Sequence, residues 1–308
     1  MASNLDLVNE ADSFPYHNDD KNVYRFTVAG VPAILGYITP PVRDALRDLP
    51  HWQVNDSTQT VILTGGSNRE ERSAIMKQTL LAMRDKGQFQ LLKKWRDEDF
   101  PVYGERKEVL LTFERCASPL FGIVTYGVHA IAYKPPSVDG EQLKIWVPRR
   151  ARNKQSYGGM LDSTVAGGVA SDETPFEALV RECEEEAALP REFVLKHAVA
   201  AGMVSDFYIR GKQAGGETGL LQPECHYVYD LPLPSDIVCA KNDDEVEEFN
   251  LWTVDEVKRA LANREFKPNC ALVMLYFFIR HGILTAENEK DYIQIVSRLH
   301  RRFEFPTR

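Results

Sequence analysis

Residues 167–189 read GGVASDETPFEALVRECEEEAAL, and this stretch decides the fold. Thr174 is a helix-capping residue, Pro175 suits a first helical position, and Glu177 stands three residues after the cap. The spacing therefore predicts a helix from Pro175 to about Ala188, with Pro190 preventing its continuation. Helical periodicity puts Phe176, Leu179, Val180, Cys183 and Ala187 on one apolar face. Glu182, Glu185 and Glu186 fall on another, at i, i+3 and i+4, while Glu184 points away. Like charges so placed cost a helix about 0.2–0.5 kcal/mol per pair. Arg181 relieves part of that repulsion. A cation relieves more, and a donor set made only of oxygen suits Mg²⁺ or Mn²⁺. Spacing alone does not establish a site, because most acidic helix faces are simply solvated.

The surrounding pattern does. Gly167, Glu173, Arg181, Glu182, Cys183, Glu185, Glu186, Ala188 and Leu189 stand at the fixed offsets of the Nudix box, which this stretch resembles. Ala188 replaces the usual glycine, and Cys183 fills an aliphatic position. Neither change removes a ligand. An alanine at 188 can still complete the helix if its backbone stays at negative φ. The resemblance implies a metal-dependent hydrolase of diphosphates with a Nudix α/β/α sandwich and a mixed sheet. It also implies that Glu182, Glu185 and Glu186 bind the metal, with Gly167 lending its carbonyl. Arg181 would orient these carboxylates, and Glu173 would steady the loop and helix. The implied cofactor is Mg²⁺ or Mn²⁺, which polarises the phosphorus centre and helps generate hydroxide.

A diphosphate needs positive partners. Arg149, Arg150, Arg152 and Lys154 lie just upstream of the box and are the candidate substrate contacts. If residues 145–150 form a strand, Arg149 and Arg150 face opposite sides, so only one of them reaches a pocket. Trp146 is a candidate stacking platform, although a lone strand tryptophan is more often core. Downstream, NDDEVEEFNLW offers the acidic residue that Nudix enzymes often place opposite the box. Glu247 is the candidate extra ligand or base, with Glu245 on the same face and Glu248 next. His197, His226 and His281 read as structural or surface histidines.

The 308 residues, 44% of them hydrophobic, suffice for two domains. The pattern divides into a loose leader at 1–22, a small N-terminal α/β domain at 23–120 and a Nudix domain at 121–308. A short helix is expected near Leu5–Glu10. In the first block, strands surround Gly30–Pro32 and cover Thr60–Leu63. Helices there cover residues 41–49, 68–87 and 91–95. In the second, strands are expected around 122–134, 143–151 and 164–166. A turn is expected at Asp139–Gly140. Further strands are expected at Lys196–Val204, Tyr208–Ile209, Glu224–Tyr229 and Glu247–Leu251, with later helices at 253–263, 269–281 and 292–299.

The formal net charge of −8 argues against a general nucleic-acid surface. Five scattered cysteines with no CxxC pair read as reduced thiols and exclude a zinc cluster. The acidic, polar start is neither a secretory signal nor a basic transit segment, so a cytoplasmic location is expected. No run of eighteen apolar residues is present, and no membrane partner is expected. The expected partner is a small-molecule diphosphate, and a homodimer is left open.

A finer resemblance is carried by the box with its upstream GGMLDSTVA, by HYVYDLPLP and by DDEVEEFNLW. These strings are similar to a fungal and plant Nudix group labelled thiamine pyrophosphokinase-related. That resemblance implies hydrolysis of thiamine diphosphate, or of its oxidised oxo and oxy analogues, to the monophosphate and orthophosphate. The chain has no GxxxxGK[ST] phosphate loop of its own. The alternatives are a Nudix hydrolase of ADP-ribose, a nucleotide-sugar or a damaged nucleotide, and a non-catalytic Nudix-fold binding module.

Overall fold

The computed structural model describes residues 1–16, 22–136 and 141–308. The turn expected at Asp139–Gly140 lies outside the described residues. The chain opens with helix α1 (Asn4–Ala11), capped by Ser3. The first sheet follows, built from β1 (Tyr24–Val28), β2 (Gly36–Ile38), β3 (Trp52–Asn55) and β4 (Thr60–Leu63). Its order is β2-β1-β4-β3, with β1 and β4 parallel. Helices α2 (Pro40–Leu46) and α3 (Arg69–Asp85) belong to this unit. So does the antiparallel hairpin β5 (Asp99–Tyr103) and β6 (Val109–Glu114). Short helix α4 (Ser118–Phe121) leads out of it. One core, including Phe26, Ile38, Leu63, Leu80 and Phe113, fills this N-terminal unit.

The second sheet contains β7 (Thr125–Lys134), β8 (Lys144–Arg150), β9 (Val165–Gly168), β10 (Val199–Ile209), β11 (Leu221–Pro232) and β12 (Val246–Thr253). The order is β10-β11-β7-β8-β12, with β9 also on β7. The sheet is mixed, since β11 and β7 are parallel and the other pairs antiparallel. Strand alternation sends successive side chains to opposite faces. Ile131, Val147, Val204 and Val228 pack on one side with helices α7 (Val254–Ala262) and α8 (Pro268–Arg280). Ala130, Ala132, Val165 and Tyr229 pack on the other with α5 (Pro175–Ala187) and α6 (Arg191–His197). Helix α9 (Tyr292–Arg298) closes the first of these faces through Ile295. The architecture is an α/β/α sandwich preceded by a smaller α/β unit.

Several sequence expectations are corrected. Residues 4–11 are no loose leader: Leu7, Val8 and Ala11 are buried against α8 and α9. Asp12 continues that anchoring by pairing with Arg298 and Arg301. Residues 191–197 form α6 rather than the start of a strand, because Pro190 opens a new helix after ending α5. The two strands expected at 196–204 and 208–209 are one bulged strand, β10. Strand β2 is shared: Ile38, with Leu35 just before the strand, enters the N-terminal core, while Tyr37 joins Phe14, Phe207 and Phe305 in the second unit. There the backbones cross closely, and a Cβ on Gly36 would fall on the carbonyl oxygens of Phe121 and Gly122. Among the described residues, no helix is long and apolar enough to cross a membrane.

Candidate active site

The α5 cap forms as expected. The Thr174 hydroxyl accepts from the Glu177 amide at 3.2 Å, and the Thr174 amide donates to the Glu177 carboxylate at 2.9 Å. Leu179, Val180, Cys183 and Ala187 are buried against the sheet. This packing fixes the rotation of the helix and turns its other face toward the end of β9. Ala188 departs from expectation: it adopts φ +53°, the left-handed cap that glycine normally provides.

Arg181 organises the acidic face. Its Nε and Nη2 donate to the two oxygens of Glu173 at 2.9 and 3.1 Å. Its Nη1 reaches Glu182 at 2.7 Å and Glu185 at 3.2 Å. Glu186 is 7% exposed and accepts from the Ala166 amide at 3.1 Å. Burial raises the Glu182 carboxyl above its ordinary range despite Arg181. Burial, followed by the nearby Glu182 charge, raises Glu186 well above it. Two neighbouring buried carboxylates disfavour their own ionised forms. Gly167 lies directly against them, and a Cβ there would fall within the Glu182 carboxylate. An oxygen-only set whose ionised forms repel one another, cradled by side-chain-free backbone, fits a hard divalent cation that would relieve that repulsion.

Two depressions lie beside this face and share lining residues. The acidic one is lined by Glu173, Arg181, Glu182, Glu185 and Glu245, and also by Arg96, Glu98 and Arg115 of the N-terminal unit. The second is a cleft lined by residues of both units. Its cations are Lys94, Arg96, Arg115, Arg210 and Lys267, and its aromatic walls include Phe100, Tyr126, Tyr157 and Tyr208. Arg96 and Arg115 line both.

The NUDIX domain model matches residues 136–270, which include the carboxylate helix. Residues 136–270 thus belong to the NUDIX domain family. A model described as a domain of unknown function, DUF4743, matches residues 4–125. The chain is 41% identical over 222 residues to an uncharacterized protein of Saccharomyces cerevisiae, covering 70% of this chain and 64% of that one. It is 36% identical to Nudix hydrolase 20, chloroplastic, of Arabidopsis thaliana, covering 76% and 59%. It is 32% identical to Nudix hydrolase 24, chloroplastic, of the same plant, covering 75% and 60%. The chain thus spans about three fifths of the length of the curated relatives it matches.

Around the Nudix box, the expected substrate contacts are placed differently. Arg150 is buried and paired with Asp162, with a further bond to the Ser156 carbonyl at 3.2 Å. It serves the core rather than a pocket. Arg149 does face the other way, but it is held by Glu248 at 3.3 Å and the Gly159 carbonyl at 2.9 Å. Arg152 is exposed beside Glu247 at 3.3 Å. Lys154 is bound to Glu245. Trp146 packs on the core with α5. None of these five side chains lines either depression.

Of the late acidic residues, Glu245 lines the acidic depression, whereas Glu247 turns to Arg152. The bulge between Val246 and Glu248 breaks the alternation on which their common placement relied. Burial pushes the Glu245 carboxyl up, but Lys154, Arg96 and Arg115 outweigh it and hold it below its ordinary range.

His226, read from the sequence as structural, is buried and also lines the cleft. Its Nε2 lies 3.1 Å from buried Asp206, and its Nδ1 has no hydrogen-bond partner among the described residues. Asp206, Glu224 and His226 form a metal-capable cluster, as do His129, Asp162 and Cys270. The second is already bonded internally: the Cys270 thiol, pushed up by burial, donates to Asp162 at 2.6 Å, and Asp162 also holds Arg150. The N-terminal cations and His226 carried no recognisable motif, because nothing in sequence spacing announces contact between distant segments.

Proposed function

We propose that this chain is a divalent-metal-dependent Nudix hydrolase that cleaves a diphosphate linkage. The observation that carries the reading is the carboxylate pair of half-buried Glu182 and buried Glu186 on one helix face, with Glu182 lining a depression that Arg96 and Arg115 also line. Glu182, Glu185 and Glu186 would hold Mg²⁺ or Mn²⁺, with the Gly167 carbonyl beside them. The bound cation would supply Lewis acidity toward phosphate oxygens. Arg181 keeps Glu173, Glu182 and Glu185 in one arrangement through its five donors. Glu245, kept ionised by Lys154, takes the opposing acidic role first assigned to Glu247. Cations in the cleft would neutralise the phosphates, and its aromatic walls would receive the organic group.

The family match supports the diphosphate class. Thiamine diphosphate and its oxidised analogues rest on the resemblance of short strings. ADP-ribose, nucleotide-sugars and damaged nucleotides fall within the supported class equally well, and the relatives' names specify no head group. The deciding experiment compares kcat/KM across thiamine diphosphate, its oxo and oxy analogues, ADP-ribose and nucleoside diphosphates, with Mg²⁺ or Mn²⁺. A preference for a nucleotide would remove the thiamine reading.

Glu186→Gln tests the mechanism. It should lower turnover by more than the roughly 10–100-fold lost when a supporting group of a metal ligand is removed. It should also abolish the rise in melting temperature on adding Mg²⁺, without lowering that of the metal-free protein. Undiminished hydrolysis would instead support a site elsewhere, and an inert wild type would support a binding module.

A further inference from the structure

The N-terminal unit does more than cover the cleft. Its hairpin β5–β6 is docked on the loop between β9 and α5. The Ser171 amide donates to the Asp99 carbonyl at 2.9 Å. Arg69 of α3 holds Ser171 at 2.9 Å and Asp172 at 3.0 Å. Antiparallel pairing of Asp99 with Glu114 brings the segment before β5 beside the segment after β6. These two segments carry Arg96 and Arg115.

Glu114 fixes them to one another. It is 3% exposed and accepts from the amides of Arg96, Asp97 and Cys116 at 3.1, 3.0 and 3.2 Å. The Arg115 amide also donates to the Glu98 carbonyl at 2.8 Å. The Arg115 guanidinium lies over Phe100, 5.3 Å from the ring centroid, and pairs with Glu98 at 2.9 Å. It sits close to Gly168, where an added Cβ would come within 3.3 Å. The Arg96 guanidinium has no carboxylate partner within ion-pair distance among the described residues. Its charge, with that of Arg115, still reaches Glu245. Arg115 also acts on Glu182. Arg96 and Arg115 are lining residues of both the cleft and the acidic depression.

We infer that Arg96 and Arg115 form a phosphate clamp supplied by the N-terminal unit, binding the diphosphate of the substrate whatever its organic group. This rests on the diphosphate reading above and assigns part of the recognition of the diphosphate to residues outside the Nudix domain. Guanidinium forks match the non-bridging oxygens of phosphate and retain their charge at all working pH values. The backbone anchoring by Glu114 holds the two segments that carry the arginines beside one another, which limits the backbone ordering needed on binding.

Calorimetric titration of the Mg²⁺-loaded full chain with inorganic diphosphate tests the clamp without requiring turnover. Arg96→Ala and Arg115→Ala should each weaken binding about 10–100-fold, the worth of one charge-assisted contact. Arg96→Lys should recover part of the loss, because it keeps the charge and loses the fork. Arg96 is exposed, so Arg96→Ala should melt with the wild type. Against hydrolysable substrates the loss in kcat/KM should be equal for different head groups. Unchanged diphosphate binding in both alanine variants would overturn the clamp, as would a loss confined to one head group. A wild type that binds diphosphate through these arginines yet hydrolyses nothing would sustain the clamp and sink the hydrolase.

Discussion

Ala188 occupies a backbone conformation that costs an L-residue about 1–2 kcal/mol. Its Cβ was compatible with the box only if φ stayed negative, and the helix instead closes with the left-handed turn. Ala188→Gly should therefore stabilise the fold by about 0.5–1 kcal/mol, the relief less the extra freedom of an unfolded glycine. Urea unfolding measures it, and a loss of stability would show that the methyl group packs usefully. His129 offers a second test. Burial, followed by the charge of His226, holds its imidazole well below its ordinary value of 6.5. The unfolded chain binds that proton more readily, so this contribution is complete above pH 6.5 and falls by about 1.4 kcal/mol per unit below it. Asp206 opposes it, since burial pushes its carboxyl up to about 6. The folded state then takes up that proton between 6 and 3.8, which favours folding as pH falls. Comparing wild type with His129→Asn isolates the histidine. Any stability advantage of the wild type should shrink below pH 6.5, and a constant difference would contradict a neutral buried imidazole.

At the scale of elements, the box helix was legible because its cap, apolar periodicity and carboxylate spacing are local. Strand β9 presses Gly167 against that helix, so Gly167→Ala must displace Glu182 or the strand. The expected cost is about 1–3 kcal/mol of stability, by analogy with overpacking. The Mg²⁺ concentration for half-maximal rate should rise as well. Wild-type stability together with wild-type Mg²⁺ dependence would mean that Glu182 moves freely. Hairpin β5–β6 was not legible. Its first strand, Asp99–Tyr103, is short, contains Pro101 and lacks a clean alternation, since Phe100, Pro101 and Val102 are all buried. It is a strand because of what it packs on. The basic run at 149–154 misled for the converse reason: local charge density marked a solvated or ion-paired segment, while Arg96 and Arg115 approach the carboxylates through tertiary folding.

Across the whole molecule, the sequence division near residue 120 separates patterns more cleanly than it separates structure. Tyr37 crosses it, bonding to Glu304, stacking on Phe14 and meeting Phe305 edge-on while its strand neighbour Ile38 enters the N-terminal core. Withdrawing β2 would leave those rings facing water. We predict one heat-capacity peak for the full chain, with calorimetric and van't Hoff enthalpies in agreement. Two resolved peaks would show that the shared strand transmits little. A fragment beginning at residue 121 would then expose an aromatic surface and self-associate more readily than the full chain. The small strand thus acts as a thermodynamic linchpin: it makes the two units melt as one body, and makes loss of either a route to aggregation.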